Sequence, residues 1–194
     1  MYKALRIILN LFFKSFFGLE VRGTENIPKE GGFLLCGNHV SGFDPLVIAC
    51  PKAVPPVCFM AKAELLNNGF IRWLAGKVNI VPIKRGEGDL GAMRKAIELV
   101  KGGNPLVIFP EGTRSKDGRL GEGKNGAALI ARRSGCAVVP CAVNGKPRLF
   151  KKIRVVYRKP VNLDKYFEEK NLEGATGEIM KEIALGLEEL NAGN

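Results

Sequence analysis

The sequence predicts an α/β fold: a single domain with a mixed or largely parallel central sheet, helices on both faces, and an amphipathic helix at the amino terminus. Three observations predict it. Short, continuous apolar runs at residues 32–36, 106–109 and 137–143 read as strands buried on both faces. Stretches with helical periodicity separate such runs along most of the chain, which is the alternation of a βαβ architecture. An Ile-, Leu- and Phe-rich segment punctuated by basic residues opens the chain. At 194 residues the chain is most simply one domain, long enough to bury a core, and its 46% apolar composition is that of a globular protein. It holds no internal repeat or low-complexity tract. Residues 1–18 read as the amphipathic helix and 19–194 as the domain.

In the opening helix, Lys3, Arg6, Asn10 and Lys14 fall on one narrow stripe, and apolar residues cover nearly everything else. The run is interrupted by charge and falls short of the roughly 20 apolar residues a spanning helix needs. Phe16-Phe17-Gly18-Leu19-Glu20 offers no small-residue cleavage site. The segment therefore reads as a monotopic helix lying in a membrane interface, with packing onto the domain as the alternative.

Residues 21–28 follow as a strand and turn, and 26–32 as a punctuated loop. The buried strand at 32–36 hands over to a helix at 45–49, which Pro45 opens. Pro51, Pro55 and Pro56 break the chain before a strand at 57–61, a helix at 67–75 and a strand at 78–83. Leu90, Met93, Ile97 and Val100 share one face of a helix closed by Gly102-Gly103. The strand at 106–109 ends in a polar, glycine-rich loop running to Asn125, and a small-residue helix (126–133) and a strand (137–143) follow. Arg154 and Arg158 interleave the strand at 153–157, which places it near a sheet edge. A closing helix at 175–190 turns Ile179, Ile183, Leu187 and Leu190 inward.

Thirty basic against nineteen acidic side chains give a net charge of +11, which calls for a polyanionic partner or surface. The basic residues are spread through the chain without a nucleic-acid reader motif, and an apolar opening helix is of no use to a nucleic-acid binder. The expectation is an anionic membrane surface and no nucleic acid. Five cysteines form no CxxC pair and mostly sit in apolar surroundings, so reduced thiols are expected. One histidine and scattered cysteines supply no recognisable zinc ligand set, and no metal is expected.

Chemistry collects beyond the carboxyl ends of strands in such a sheet. Four predicted strand ends carry polar groups: Asn38-His39, Lys62-Ala63-Glu64, Lys84-Arg85-Gly86 and Glu111-Gly112-Thr113-Arg114. His39 is the only histidine, five residues before Asp44. A histidine can act as a general base near neutral pH, and a carboxylate can hold its tautomer. The pair equally reads as a surface histidine beside a helix N-cap. The cations Lys62, Arg85 and Arg114, with a free glycine turn at Gly112, suit an anionic oxygen ligand such as a phosphate; each alone is an ordinary surface charge. Ser41 reads as a turn residue, and Cys36 as a buried and inert thiol.

These blocks resemble the lysophospholipid acyltransferases typified by 1-acyl-glycerol-3-phosphate acyltransferase. Asn38-His39 and Asp44-Pro45 match that family's His-x-x-x-x-Asp signature. Lys62-Ala63-Glu64-Leu65 with Ile83-Lys84-Arg85 looks like its second block, and Phe109-Pro110-Glu111-Gly112-Thr113-Arg114-Ser115 like its Glu-Gly-Thr-Arg block in full. Val138-Val139-Pro140 resembles the fourth, and Lys124-Asn125-Gly126-Ala127 follows the usual pattern between them. The resemblance covers about residues 21–143. It implies His39 as the base that deprotonates the free hydroxyl of a lysophospholipid, with Asp44 orienting the imidazole. Arg114, Lys62, Gly112, Thr113 and Arg85 would hold the acceptor's phosphate. Glu111 would order that loop, and Pro140 would shape the acyl side. The implied reaction gives phosphatidate from lysophosphatidate without a cofactor, using a thioester of acyl carrier protein or coenzyme A. It would run on the cytoplasmic face of the cell membrane. A basic protein that binds lipid or nucleic acid without catalysis is the competing class.

Overall fold

The computed structural model describes residues 2–75, 79–83, 89–144 and 151–192. The strands are β1 (Glu20–Arg22), β2 (Phe33–Gly37), β3 (Cys58–Lys62), β4 (Asn79–Ile83), β5 (Leu106–Ile108), β6 (Ala137–Val143) and β7 (Arg154–Tyr157). Among the described residues they form one seven-stranded sheet in the order β1-β7-β6-β2-β5-β3-β4. Neighbours run parallel except β6 and β7, which are antiparallel.

Side chains on the central strands alternate between two cores, as the period of two requires. Phe33 and Leu35 of β2 join Val139 and Cys141 of β6, facing α1 (Tyr2–Phe17) and α2 (Asp44–Ala49). Leu34 and Cys36 look the other way, onto α4 (Asp89–Lys101), α5 (Gly126–Ser134) and α7 (Leu172–Ala192). Because both faces are covered, these strands lack the polar alternation of a half-exposed sheet. Close packing at Gly37 sets the approach of α2 to the sheet: a Cβ there would lie 2.9 Å from Ile48 Cδ1 and 3.0 Å from Cys141 Sγ.

The sequence-derived elements recur with small changes. The strand and turn expected at 21–28 are a strand at Glu20–Arg22 and a 3₁₀ turn at Thr24–Asn26. A 3₁₀ turn (Ala63–Asn67) precedes α3 (Gly69–Ala75), and a short helix, α6 (Asp164–Glu168), lies before α7; neither has enough residues to show a period. β7 is one strand in from the edge. Arginines at its start and just past its end serve as cross-element ties: Arg154 Nε donates to Glu20 at 3.0 Å, and Arg158 to Glu182 at 3.0 Å and Glu189 at 3.3 Å. Along α7, Ile179, Ile183 and Leu190 are buried, and Leu187 packs beside them.

Cys36, Cys50, Cys58 and Cys141 are buried free thiols. Burial pushes the Cys50 thiol up to about 12 and Cys36 well above its usual range, which leaves both inert as nucleophiles.

The opening helix is both packed and exposed. Phe13 is 1% exposed, with Leu5, Leu9 and Phe17 packed beside it, so α1 belongs to the domain core. Its polar stripe does not face solvent alone, as a free interfacial helix would have it. Arg6 donates to the carbonyl of Val54 and Asn10 to that of Cys50 at 3.3 Å, satisfying carbonyls at and beyond the carboxyl end of α2. The opposite face leaves Ile7, Ile8, Leu11, Phe12 and Phe16 exposed. No helix among the described residues is long and apolar enough to cross a membrane.

Two substitutions two residues apart separate these faces. Phe13→Ala should cost about 3–5 kcal/mol, the range for emptying a buried aromatic site. Leu11→Ala, at a position 65% exposed, should leave stability nearly unchanged. Urea denaturation of both variants measures the contrast, and equal losses would mean that α1 is buried all round.

Candidate active site

Strand register assembles the site. β2 and β5 pair in parallel with Cys36 opposite Ile108, so the residues leaving each strand run on side by side. His39 follows β2, and Phe109-Pro110-Glu111 follows β5. On the other flank β6 pairs with β2, placing Gly37 opposite Cys141. The buried Asn38 side chain prolongs that pairing: Nδ2 donates to the Val143 carbonyl at 2.9 Å, and the Val143 N–H donates to Oδ1 at 2.8 Å. An asparagine amide can replace a strand's own backbone in this way.

Asp44 opens α2 and is fully buried. Its Oδ2 accepts three donors: the Val40 N–H at 2.7 Å, the Ser41 N–H at 2.7 Å and His39 Nδ1 at 2.9 Å. The backbone donors lie upstream of Asp44, so the carboxylate closes the preceding loop and is not an N-cap, which would accept from amides within the helix. An ionised carboxylate can only accept; Nδ1 therefore carries the imidazole proton and Nε2 is left as an acceptor. The His39 ring stacks on Phe109 with centroids 4.0 Å apart and planes 18° from parallel. Ser41 Oγ accepts from the Phe43 N–H at 3.2 Å, the turn role expected of it.

Glu111 locks this loop to the next. It is buried, and its two oxygens accept the His39 N–H at 2.8 Å and the Gly121 N–H at 2.9 Å. The Ser115 N–H donates to the His39 carbonyl at 2.7 Å. Between them the chain turns at Gly112 with φ +70°, a left-handed conformation that favours glycine. Thr113 and Arg114 are exposed beyond that turn. Arg114 leans onto the histidine loop: its Nη1 lies 3.8 Å from where a Cβ on Gly42 would be.

Sequence reasoning gave Lys124 no role in the site, yet its Nζ lies 3.3 Å from the Cβ position of Gly112. The lysine reaches the turn because its own N–H donates to the Pro110 carbonyl at 2.8 Å. It stands twelve residues after Gly112 on a loop without periodicity, so only the fold joins them. Phe109, at the end of an apolar strand and the start of the Glu-Gly-Thr-Arg block, carries no sequence signal for its stacking on His39. Lys62 closes β3, separated from β2 by β5, and its side chain lies outside the described residues, as does all of Arg85. Pro140 is buried within β6 opposite Cys36. That is three positions short of His39, or about 10 Å along the sheet at the usual strand rise.

A buried carboxylate, an imidazole held by it, and an arginine and a lysine nearby are thus brought together beyond the ends of β2 and β5. A family model described as Acyltransferase matches residues 18–144, most of the chain and every loop just described. The chain belongs to the acyltransferase family. The crystal structure of the 1-acyl-sn-glycerophosphate (LPA) acyltransferase PlsC from Thermotoga maritima superposes with a TM-score of 0.79 at 31% identity, covering 98% of this chain and 80% of that one. The 1-acyl-sn-glycerol-3-phosphate acyltransferase of Bacillus subtilis is 31% identical over 84% of this chain and 83% of its own length. The lyso-ornithine lipid O-acyltransferase of Pseudomonas aeruginosa is 37% identical over 64% of this chain and 47% of its own. The chain spans about half the length of several curated relatives in the family, 44%, 46% and 52% in three of them.

Removing the Glu111 carboxylate tests how the loops are joined. Glu111→Ala should cost about 3 kcal/mol, since charged hydrogen bonds to two backbone N–H groups are lost together. That corresponds to a fall in Tm of roughly 6–12 °C for a chain of this size. Glu111→Gln, which keeps one acceptor, should lose about half as much. Calorimetry of both variants supplies the comparison.

Proposed function

We propose that this chain transfers an acyl group from a thioester to the free hydroxyl of 1-acyl-glycerol-3-phosphate, giving phosphatidate. The observation that carries the reading is His39 with Nδ1 2.9 Å from the buried Asp44 carboxylate, in a loop that Arg114 approaches at Gly42. Nε2 takes the hydroxyl proton as the oxygen attacks the thioester carbonyl. The O–C bond forms, the C–S bond breaks, and the proton passes from the imidazolium to the departing sulfur, so no acyl-enzyme is needed. An alcohol is a weak nucleophile, and removing its proton in the transition state is worth roughly 10²–10⁴-fold.

Arg114 and Lys124 hold the phosphate in this scheme, with Lys62 and Arg85 as further cations and the Gly112-Thr113 backbone at the turn. Fixing the phosphate turns attack by the hydroxyl into a nearly unimolecular step. Glu111 keeps the two loops in register, and Pro140 bears on the acyl side only through the sheet. The donor is a thioester of acyl carrier protein or coenzyme A, used as co-substrate without a cofactor. Residues 1–18 associate with the membrane through the exposed face of α1, and residues 19–194 carry the chemistry. The +11 charge suits an anionic leaflet, such as the cytoplasmic face of the cell membrane.

The lyso-ornithine lipid relative supports one second reading: a zwitterionic acceptor without a phosphate monoester. Acyl transfer measured with both acceptors decides between them. With lysophosphatidate as acceptor, His39→Ala should lower kcat by about 10²–10⁴-fold. Arg114→Ala and Lys124→Ala should each raise KM for lysophosphatidate while sparing KM for the thioester. Wild-type rates in His39→Ala would remove the histidine from the mechanism. Efficient use of the ornithine lipid alone would reassign the acceptor.

A further inference from the structure

We propose, on the reading that Lys124 binds the acceptor's phosphate, that α7 sets that subsite: Thr176, with Met180 beside it, holds the loop that carries Lys124 at the Gly112 turn. Thr176 is then a positioning residue on a helix that lies wholly beyond residues 18–144, the span the family model matches.

α7 buries Ala175, Ile179 and Ile183 in the same core as Ala127, Ala128 and Ala131 of α5. Thr176 lies in that buried stripe at 5% exposure, a place that packing alone would give to an apolar residue. Its hydroxyl is within donating distance of two oxygens, the Leu172 carbonyl at 2.8 Å and Asn125 Oδ1 at 2.9 Å. The first is how a threonine satisfies itself inside its own helix. The second crosses 51 residues of chain to the neighbour of Lys124. Asn125 stands at the N-cap of α5, where asparagine commonly bonds a helical N–H. Its side chain makes no such cap and is turned to Thr176.

Gly123, on the other side of Lys124, meets the same helix. A Cβ there would lie 2.5 Å from Met180 Cγ and 2.9 Å from Thr176 Cγ2, closer than real side chains pack. Gly123 is not among the glycines with positive φ, so the closeness of α7 accounts for it and a turn does not. Between these two contacts the Lys124 N–H donates to the Pro110 carbonyl at 2.8 Å. Three successive residues are thus fixed. A lysine ammonium rides on a flexible four-carbon stem, so where it dwells depends on where its root is held. Here the stem lies over the turn, with Cδ 3.2 Å and Cε 3.4 Å from the Cβ position of Gly112. A looser root would let the ammonium leave the turn, and the phosphate would keep Arg114 while losing Lys124.

Acyl transfer to lysophosphatidate from a thioester donor tests this. Thr176→Val keeps the shape of the side chain and removes its hydroxyl. It should raise KM for lysophosphatidate about fivefold, the scale of one lost hydrogen bond, while kcat and KM for the thioester stay within about twofold. Thr176→Ser should restore the wild-type KM. Adding Thr176→Val to Lys124→Ala should raise KM no further than Lys124→Ala alone, because the threonine acts through the lysine. Met180→Ala leaves the fully buried residues of α7 in place and should also raise KM for lysophosphatidate, which keeps the test open if Thr176→Val folds poorly. A lower kcat at unchanged KM in Thr176→Val and Met180→Ala would make α7 a stabilising element only and overturn the proposal. Additive losses in the double variant would overturn it too. A raised KM in Lys124→Ala beside wild-type KM in Thr176→Val and Met180→Ala refutes the positioning role alone. An unchanged KM in Lys124→Ala refutes the phosphate reading of the lysine, and the positioning role falls with it.

Discussion

Parallel pairing of β2 with β5 is the constraint on which the site depends. Cys36 opposite Ile108 sets two outgoing loops side by side, and everything beyond follows from that alignment. A slip of one residue would turn Phe33 and Leu35 toward the helices that Leu34 and Cys36 now face. Burial of both faces therefore holds the register, and the register holds His39 beside Glu111. The core and the chemistry are coupled through that one strand pair.

Two carboxylates then divide the work at the loop level. Asp44 gathers the histidine loop around one oxygen, drawing two backbone N–H groups and the imidazole to a single point. Glu111 joins that loop to its neighbour by accepting from the His39 backbone, so the histidine is held from the side chain by one acid and from the main chain by the other. Supporting hydrogen bonds of this kind are what hold a side chain in place when its site is built on loops. Phe109 completes the enclosure by stacking on the imidazole.

The opening helix combines several duties on its different faces. Phe13 is core, Arg6 and Asn10 bind carbonyls at the end of α2, and the remaining face is apolar and open. One helix thus steadies the element that Asp44 begins while leaving an apolar face open. Removing the segment would take away both the buried Phe13 and the ties to the end of α2.

Periodicity alone determined the fold class, most element positions and the inward residues of α7, because burial writes its period into the chain; on the stripe of α4, Met93, Ile97 and Val100 pack inward, while Leu90, in the first turn, is 70% exposed. Motif spacing also made His39, Asp44, Glu111 and Arg114 legible, since short blocks at strand ends keep their order whatever the loops do. Tertiary structure decided which acid serves which group. In the sequence Asp44 before a proline was equally an N-cap, and only its acceptance of the upstream Val40 and Ser41 N–H groups settles that it closes the loop. Lys124 reaches Gly112, and Phe43 reaches Phe13, across separations that carry no period. Such contacts arise from how strands pair and helices dock, and a linear pattern cannot encode them.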